Sequence, residues 1–187
     1  MRLLAISGSL RAASTNVAAL KALALLAPPG VEVGLYRDLA RLPAFNPDDD
    51  EEGRAPTVVA EFRARVKESD GLVIAAPEYA HGVPGALKNA LDWLVASDVI
   101  PGKPVVLINA QPRSFHAQAS LRETLATMAA RLVPEAFATL PLTGKTLSAR
   151  GIAADAVLAG RLRDSIEALI AAIAAEGGAL GSPWPPR

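Results

Sequence analysis

Short apolar runs alternate with longer helical patterns along the 187 residues of this chain. Apolar residues predict four strands, which lie at 3–6, 31–36, 72–76 and 105–108, and a weaker fifth at 135–140. Helical periodicity predicts the segments between and after them, at 16–26, 56–68, 84–96, 117–132 and 155–176. Buried strands that alternate with helices indicate an α/β fold, in which a parallel sheet is covered by helices on both faces.

The length and the absence of an internal linker predict one domain over residues 1–176. A tail rich in Gly and Pro follows at 177–187. The connection at 37–55 is irregular and contains the acidic run 48–52. This run lacks the glycine and the ligand spacing of a calcium loop, so we expect a solvated surface loop rather than a cation site.

Amino-acid composition excludes several classes of ligand and of catalytic chemistry. Lys+Arg and Asp+Glu are equal at 19 each, so we expect no general attraction for nucleic acid or for anionic membranes. The chain has no cysteine, which excludes disulfides, thiolate catalysis and cysteine-ligated metal centres. The first apolar run is too short for a signal peptide or a membrane span, and we therefore expect a cytoplasmic protein.

A polar loop, Ser7-Gly8-Ser9-Leu10-Arg11-Ala12-Ala13-Ser14-Thr15-Asn16, joins the first strand to the first helix. Its hydroxyl and amide groups, the start of the helix and one arginine suit a phosphate group. Neither G-x-G-x-x-G nor G-x-x-x-x-G-K-[ST] is present, which argues against a dinucleotide fingerprint and a P-loop. The alternative is an ordinary loop in which Ser14 or Thr15 caps the helix.

A second candidate segment, at 77–93, follows the third strand and reads Pro77-Glu78-Tyr79-Ala80-His81-Gly82-Val83-Pro84-Gly85-Ala86-Leu87-Lys88-Asn89-Ala90-Leu91-Asp92-Trp93. In a doubly wound sheet of order 2-1-3-4-5, strands one and three are neighbours at the point where the order reverses. Ligands bind in the crevice at that point. Both loops are therefore expected to face one site.

These two segments resemble the signature pair of the NADPH-dependent FMN reductase family, and the resemblance extends from residue 1 to about 173. It implies a five-stranded flavodoxin-like fold, bound FMN, and NADPH or NADH as the hydride donor. The residues that match the family's phosphate-binding positions are Ser9, Arg11, Ser14 and Asn16, with Thr15 beside them. Pro77, Glu78 and Tyr79 match the segment that follows the flavin ring and ribityl chain.

Two departures from the family pattern concern the ring end of the expected site. Ala80 stands where the family usually has Asn, which removes one side-chain contact, and His81 lies in a variable part of the same loop. After the fourth strand, the usual glycine- and serine-rich loop is replaced by 109–116, which has no glycine. Without glycine, the backbone of this loop is expected to approach the flavin ring less closely. Gln111 or Ser114 could replace the missing hydrogen-bond donors, and Phe115 could crowd the ring.

Other polar residues near the second segment have simpler interpretations. Lys88 and Asp92 are spaced for a helix-surface pair, and Trp93 is expected in the core or in a dimer interface. His81 and His116 are the only histidines, and no carboxylate lies at metal-site spacing from them. The sequence therefore predicts no metal site.

The leading functional hypothesis is a reductase in which bound flavin carries the hydride chemistry and no side chain acts as a catalyst. Its electron acceptor would be a small molecule: free flavin, a quinone, an azo compound or a metal oxyanion. The alternatives are a flavodoxin-type electron carrier, or a family member with weakened flavin binding that acts as an interaction protein. The resemblance also implies a homodimer or homotetramer with the cofactor near the subunit boundary.

Overall fold

The computed structural model describes residues 1–51, 54–142 and 148–179, with side chains through residue 175. Its strands are β1 (Arg2–Ser7), β2 (Glu32–Tyr36), β3 (Gly71–Ala75), β4 (Pro104–Asn109), β5 (Arg131–Leu132) and β6 (Ala138–Thr139). They form one parallel sheet of order β2-β1-β3-β4-β5, and β6 also pairs with β4. The predicted flavodoxin-like order is confirmed.

Helices cover both faces of this sheet. They are α1 (Thr15–Leu26), α2 (Thr57–Glu68), α3 (Gly85–Val95), α4 (Phe115–Thr127), α5 (Ala149–Ala154) and α6 (Ala156–Ala179). Alternate strand residues point to opposite faces, so Leu4 and Ile6 pack with α2, α3 and α4, whereas Leu3 and Ala5 pack with α1, α5 and α6. None of the helices in the described part of the chain has the length and apolarity needed to span a bilayer.

The fifth position of the sheet differs from the sequence prediction. It consists of two short strands on either side of a 3₁₀ turn, with β5 beside the start of β4 and β6 beside its end. The helix predicted at about 117–132 is α4, which begins at Phe115 and ends at Thr127, so the predicted C-terminal end is wrong. Residues 131–132 belong instead to β5.

The C-terminal segment also differs in detail. An additional short helix, α5, precedes the long final helix, and α6 continues through residue 179 rather than ending at 176. The predicted tail at 177–187 is therefore helical at its start. Its remainder, 180–187, lies outside the described residues.

The acidic run is not uniformly solvated, which corrects the sequence interpretation. Asp50 has only 5% of its side chain exposed and pairs with Arg63 of α2, with 2.7 Å between Oδ1 and Nη2. The same guanidinium donates through Nε to the carbonyl oxygen of Trp93 at 2.9 Å. Asp48 and Asp49 are exposed, and Glu52 lies outside the described residues.

Candidate functional site

Strand register brings the three predicted loops to one edge of the sheet. Ser7 at the end of β1 is level with Ala75 at the end of β3, and Ala75 is level with Ile108 of β4. The amide of Gly8 donates to the carbonyl oxygen of Ala75 at 2.8 Å, so the first loop leaves the sheet directly beside the second. The carboxyl ends of parallel strands at a reversal of strand order form a ligand crevice.

The first loop, between β1 and α1, is folded by its own serine hydroxyls. Ser9 donates its amide to Ser7 Oγ at 3.2 Å, and Ser9 Oγ accepts from the amide of Arg11 at 3.4 Å. Ser14 caps α1, since its Oγ accepts from the amide of Val17 at 3.3 Å. The helix cap that the ordinary-loop alternative predicts is thus present.

Polar groups remain without partners at this helix terminus. The amides of Thr15 and Asn16 open α1, so they have no intrahelical acceptor, and no other described residue accepts from them. Asn16 is 3% exposed, and its Oδ1 makes no hydrogen bond within the described chain. The Arg11 side chain is exposed and forms no ion pair with a described carboxylate. The two free amides and the guanidinium are donors that fit a phosphate monoester.

Gly8 allows the close approach of the first loop to α3. A Cβ at this position would lie 3.0 Å from Leu87 Cδ2 and 3.2 Å from Ala76 Cβ. Both neighbours are buried, which leaves little room for either to move. A side chain here would push the first loop away from α3.

The second loop turns through a two-residue hairpin. Tyr79 and Gly82 exchange backbone hydrogen bonds of 3.1 and 2.9 Å, and the two residues between them have positive φ, 47° at Ala80 and 59° at His81. Two positive φ values at the centre of a tight hairpin define a type I′ turn. Ahead of this turn, Pro77 is buried and Glu78 is half-buried, whereas Tyr79 is exposed.

The third loop makes its turn without glycine. Asn109 Oδ1 accepts from the amide of Gln111 at 3.0 Å, and the amide of Ser114 donates to the carbonyl oxygen of Gln111 at 3.0 Å. No residue from 109 to 116 has positive φ, so the missing glycine causes no strain in this conformation. Gln111 is exposed, whereas Ser114 is buried and lines a cavity of about 290 Å³ between α4 and β6.

The second and third loops are joined by side chains. Glu78 Oε2 accepts from the amide of Ala117 at 3.0 Å and so caps α4, whose own N-cap residue, Ser114, contributes no side-chain bond. The rings of His81 and His116 stack with centroids 4.3 Å apart. One ligand atom from each of Glu78, His81 and His116 lies within 4.8 Å of the other two. Spacing along the chain gave no sign of this cluster, because adjacent strands β3 and β4 bring it together.

The remaining predicted positions near the second loop are structural. Lys88 Nζ lies 2.6 Å from Asp92 Oδ1, as the helix spacing predicts. Trp93 is fully buried and donates through Nε1 to the carbonyl oxygen of Pro43 at 2.8 Å, so it belongs to the core. Asn89 holds the same connection, since it donates to Pro43 and accepts from the amide of Phe45.

One group beside the first loop has a perturbed acidity that sequence reasoning did not anticipate. Burial, with the charge of Asp38 as a smaller cause, raises the pKa of Tyr36 to about 12. Its hydroxyl has no hydrogen-bond partner among the described residues. Tyr36 borders a cavity of about 270 Å³ together with Ser9 and Arg11.

Known proteins resemble this chain in both sequence and fold. The family model of NADPH-dependent FMN reductase matches residues 1–143. An NAD(P)H-dependent FMN reductase of Pseudomonas aeruginosa is 39% identical over 130 residues, 67% of this chain and 69% of that protein. A quinone reductase of Escherichia coli is 35% identical over 109 residues, so the match spans 57% of this chain and 58% of that protein.

Solved structures agree with these sequence matches. The flavoenzyme NAD(P)H:(acceptor) oxidoreductase FerB of Paracoccus denitrificans superposes with a TM-score of 0.75 at 27% identity. That superposition covers 93% of this chain and 97% of FerB. An oxidised flavodoxin of Bacillus cereus shares the fold, with a TM-score of 0.59 at 16% identity. With the family model matching most of its length and the site residues placed at one edge of a flavodoxin-like sheet, the chain belongs to the NADPH-dependent FMN reductase family.

Proposed function

We propose that this protein is an FMN-dependent NAD(P)H oxidoreductase that passes electrons to a small-molecule acceptor. Membership of the family supports the cofactor and the hydride donor. The observation that carries the proposal is the set of free donors at the start of α1, where the amides of Thr15 and Asn16 have no acceptor among the described residues and Arg11 has no carboxylate partner among them. A bound phosphate removes the cost of leaving such polar groups unsatisfied.

The phosphate is bound by the five polar residues of the first loop and of the first turn of α1: Ser9, Arg11, Ser14, Thr15 and Asn16. The Arg11 guanidinium supplies charge, since it has no carboxylate to neutralise it within the described chain. The Asn16 carboxamide turns its N–H toward the anion, because an Asn side chain offers both a donor and an acceptor. The helix terminus adds its two free amides.

The ring end of the flavin is placed at the second and third loops. The residues proposed there are Pro77, Glu78, Tyr79, Ala80, His81, Gln111 and Ser114. When bound, the flavin supplies hydride acceptance from NAD(P)H and electron delivery to the acceptor, while the protein supplies orientation and exclusion of water. Tyr79, which is 55% exposed, shields one side of this region.

The acceptor is proposed to be free flavin, a quinone, an azo compound or a metal oxyanion. Relatives carry the names quinone reductase in Escherichia coli and 2-hydroxy-1,4-benzoquinone reductase in a Burkholderia species. The three loops leave an open edge with exposed Tyr79 and Phe115 side chains, which suits a flat apolar acceptor such as a quinone. We also propose a cytoplasmic location, where NAD(P)H is available, and a homodimer or homotetramer.

Binding of FMN and riboflavin by the purified protein tests the proposal. The absorption spectrum should show bound flavin after FMN is added, and NADPH or NADH should be oxidised when a benzoquinone is present. Arg11→Ala should weaken FMN binding about tenfold, the loss expected for one charge-assisted hydrogen bond, while riboflavin binding stays unchanged. The two ligands, FMN and riboflavin, then separate the phosphate contact from contacts with the ring.

A matched control removes an equally exposed arginine elsewhere. Arg65 lies on α2 and borders a cavity at the opposite edge of the sheet, with Arg2 and Glu32. Arg65→Ala should leave FMN affinity unchanged. No flavin binding together with no NAD(P)H oxidation, under any acceptor, would contradict the proposed function.

A further inference from the structure

The two histidines of the chain and one glutamate form a cluster, and flavin binding does not require these three side chains to lie together. Glu78, His81 and His116 each place one ligand atom within 4.8 Å of the others. We propose that these three residues bind one divalent transition-metal ion of the Zn²⁺ class at the junction of the second and third loops. This inference does not depend on flavin binding.

The donor set is of the kind that such ions select. Two imidazole nitrogens and one carboxylate oxygen bind zinc in proteins, and hard cations such as Mg²⁺ or Ca²⁺ prefer several oxygen ligands instead. No described Lys or Arg side chain forms an ion pair with Glu78. Among the described residues, the carboxylate is therefore not neutralised by a Lys or Arg side chain.

Glu78 is already held in place for this role. Its Oε2 accepts a hydrogen bond from the amide of Ala117 at 3.0 Å, which leaves Oε1 for a metal. A hydrogen bond to a ligating carboxylate restricts its orientation and is a common second contact in metal centres. Because the amide belongs to the first turn of α4, the bond also fixes the distance between Glu78 and His116.

The two histidines come from elements with defined backbones. His81 is the second central residue of the type I′ turn, and His116 is the second residue of α4. Their rings stack at 4.3 Å with 20° between the planes, and both residues are exposed. Ligand atoms of one tetrahedral zinc ion are roughly 3.3 Å apart, given bonds of about 2.0–2.1 Å. Binding of one ion therefore requires the exposed rings to rotate out of this stacked arrangement.

Three protein ligands leave a coordination position for water or a small molecule. A bound ion would also connect the two loops that border the proposed ring end of the flavin. It would thereby fix the separation between the hairpin at 79–82 and the start of α4. A metal ion at this site would therefore join the two loops, and its free coordination position could contact the electron acceptor.

The chain is well suited to a direct test, because it contains only two histidines and no cysteine. Untagged protein, with FMN and without it, should be titrated with Zn²⁺ by calorimetry and with Cu²⁺ under electron paramagnetic resonance. We expect one ion per chain, and nitrogen hyperfine splitting from two imidazoles. His81→Gln and His116→Gln should each weaken Zn²⁺ binding at least tenfold and reduce the splitting to one nitrogen.

Two further variants make the result specific. Glu78→Gln should weaken Zn²⁺ binding at least tenfold while both nitrogens remain visible in the Cu²⁺ spectrum. Asp48→Asn, which removes an exposed carboxylate from the acidic run, should leave the affinity unchanged. Circular dichroism of each variant confirms that it is folded.

Binding that survives in the His81→Gln/His116→Gln double variant would overturn the proposal, and so would the absence of any Zn²⁺ binding above that variant. Loss of metal binding in Asp48→Asn alone would move the site to the acidic run and overturn it as well. FMN affinity should be measured on the same samples. Wild-type protein that binds FMN but not Zn²⁺ would contradict the metal site and leave the flavin proposal standing.

Discussion

At the scale of single residues, the conformation of the second loop makes the identity of residue 80 important for stability. Ala80 has a φ of 47°, a region that L-residues other than Asn, Asp and Gly rarely adopt. The sequence showed that Ala80 replaces the Asn usual in the family and attributed the loss to a cofactor contact. The structure adds a backbone cost, because Asn is favoured in a type I′ turn.

We therefore predict that Ala80→Asn raises the free energy of unfolding of the flavin-free protein by about 0.5–1 kcal/mol, because Asn adopts the left-handed conformation with less strain than Ala. The same variant should bind FMN more tightly than the wild type. Urea denaturation and FMN titration measure the two effects. Ala80→Val is the control, since a β-branched residue at positive φ should destabilise the loop. Lower stability of Ala80→Asn than of wild type would contradict the turn assignment.

Tyr36 gives a residue-scale prediction about alkaline pH. Its pKa is raised from 10.0 to about 12 in the folded protein, so the unfolded chain loses this proton first. Between pH 10 and 12 the folded state binds more protons, and the free energy of unfolding falls as pH rises. The contribution of Tyr36 is fully present below pH 10, and its loss is of order 2 kcal/mol.

Tyr36→Phe should remove this part of the alkaline decline. At neutral pH the variant should be as stable as wild type or more stable by about 1 kcal/mol, because the missing hydroxyl was buried without a partner. Urea denaturation of both proteins from pH 7 to pH 12 measures the difference. Since Lys103, whose pKa burial lowers, titrates in both proteins, its effect cancels in the comparison. Parallel pH profiles would contradict the assignment.

At the scale of elements, what the sequence predicted depended on how local the determinants were. β1, β3 and β4 are short apolar runs buried on both faces, and their length and the Gly or Pro residues beside them identify them as strands without tertiary information. The fifth position of the sheet is different, because β5 and β6 have two residues each and depend on pairing with β4. Such short strands leave no periodic signal in the sequence.

The end of α4 was missed for a related reason. The amide of Ala130 donates to the carbonyl oxygen of Leu125, and that of Ala129 to Ala126, which is the pattern of a Schellman motif. Its left-handed residue is Ala129, with a φ of 57°, where glycine is usual. A helix that ends on alanine carries no stop signal, so the prediction continued it to 132.

Ala129→Gly should therefore stabilise the protein by about 0.5–1 kcal/mol, as glycine adopts positive φ without steric cost. The matched control is Ala119→Gly on the exposed side of the same helix, which should destabilise by about 1 kcal/mol. Thermal and urea denaturation of the two variants give opposite signs if α4 ends in this motif. Destabilisation by both substitutions would show that Ala129 is not in a left-handed conformation.

At the scale of the whole molecule, the candidate site combines predictable and unpredictable parts. The first loop was predicted from Ser9, Arg11 and Ser14, which lie close together in the chain, and from its pairing with the second loop. The contact of Glu78 with α4 and the stacking of His81 on His116 were not, because they depend on which strands are adjacent and on side-chain direction. Sequence spacing identifies local sites, whereas a cluster whose residues are separated by a β-α-β crossover can be found only from the fold.

Exposed apolar side chains give the last prediction, which concerns assembly. Leu10, Tyr79 and Phe115 are 55–65% exposed and lie on the three loops of the carboxyl edge. Trp93, the other candidate for an interface, is buried within a single chain. A second copy that covers these loops would bury apolar surface and place the cofactor near the subunit boundary, as the family resemblance implies.

Two aspartate substitutions, at similarly exposed positions in the first turn of a helix, test this interface. Phe115 opens α4 and is 65% exposed, and Val157 lies in the first turn of α6 and is 62% exposed. An aspartate in either first turn is favourable for the helix dipole, so neither change should unfold the chain. Phe115→Asp should raise the dimer dissociation constant at least tenfold in sedimentation equilibrium, because it places a charge in an apolar interface. Val157→Asp should leave that constant unchanged, and the reverse result would place the interface on the α6 face, away from the site.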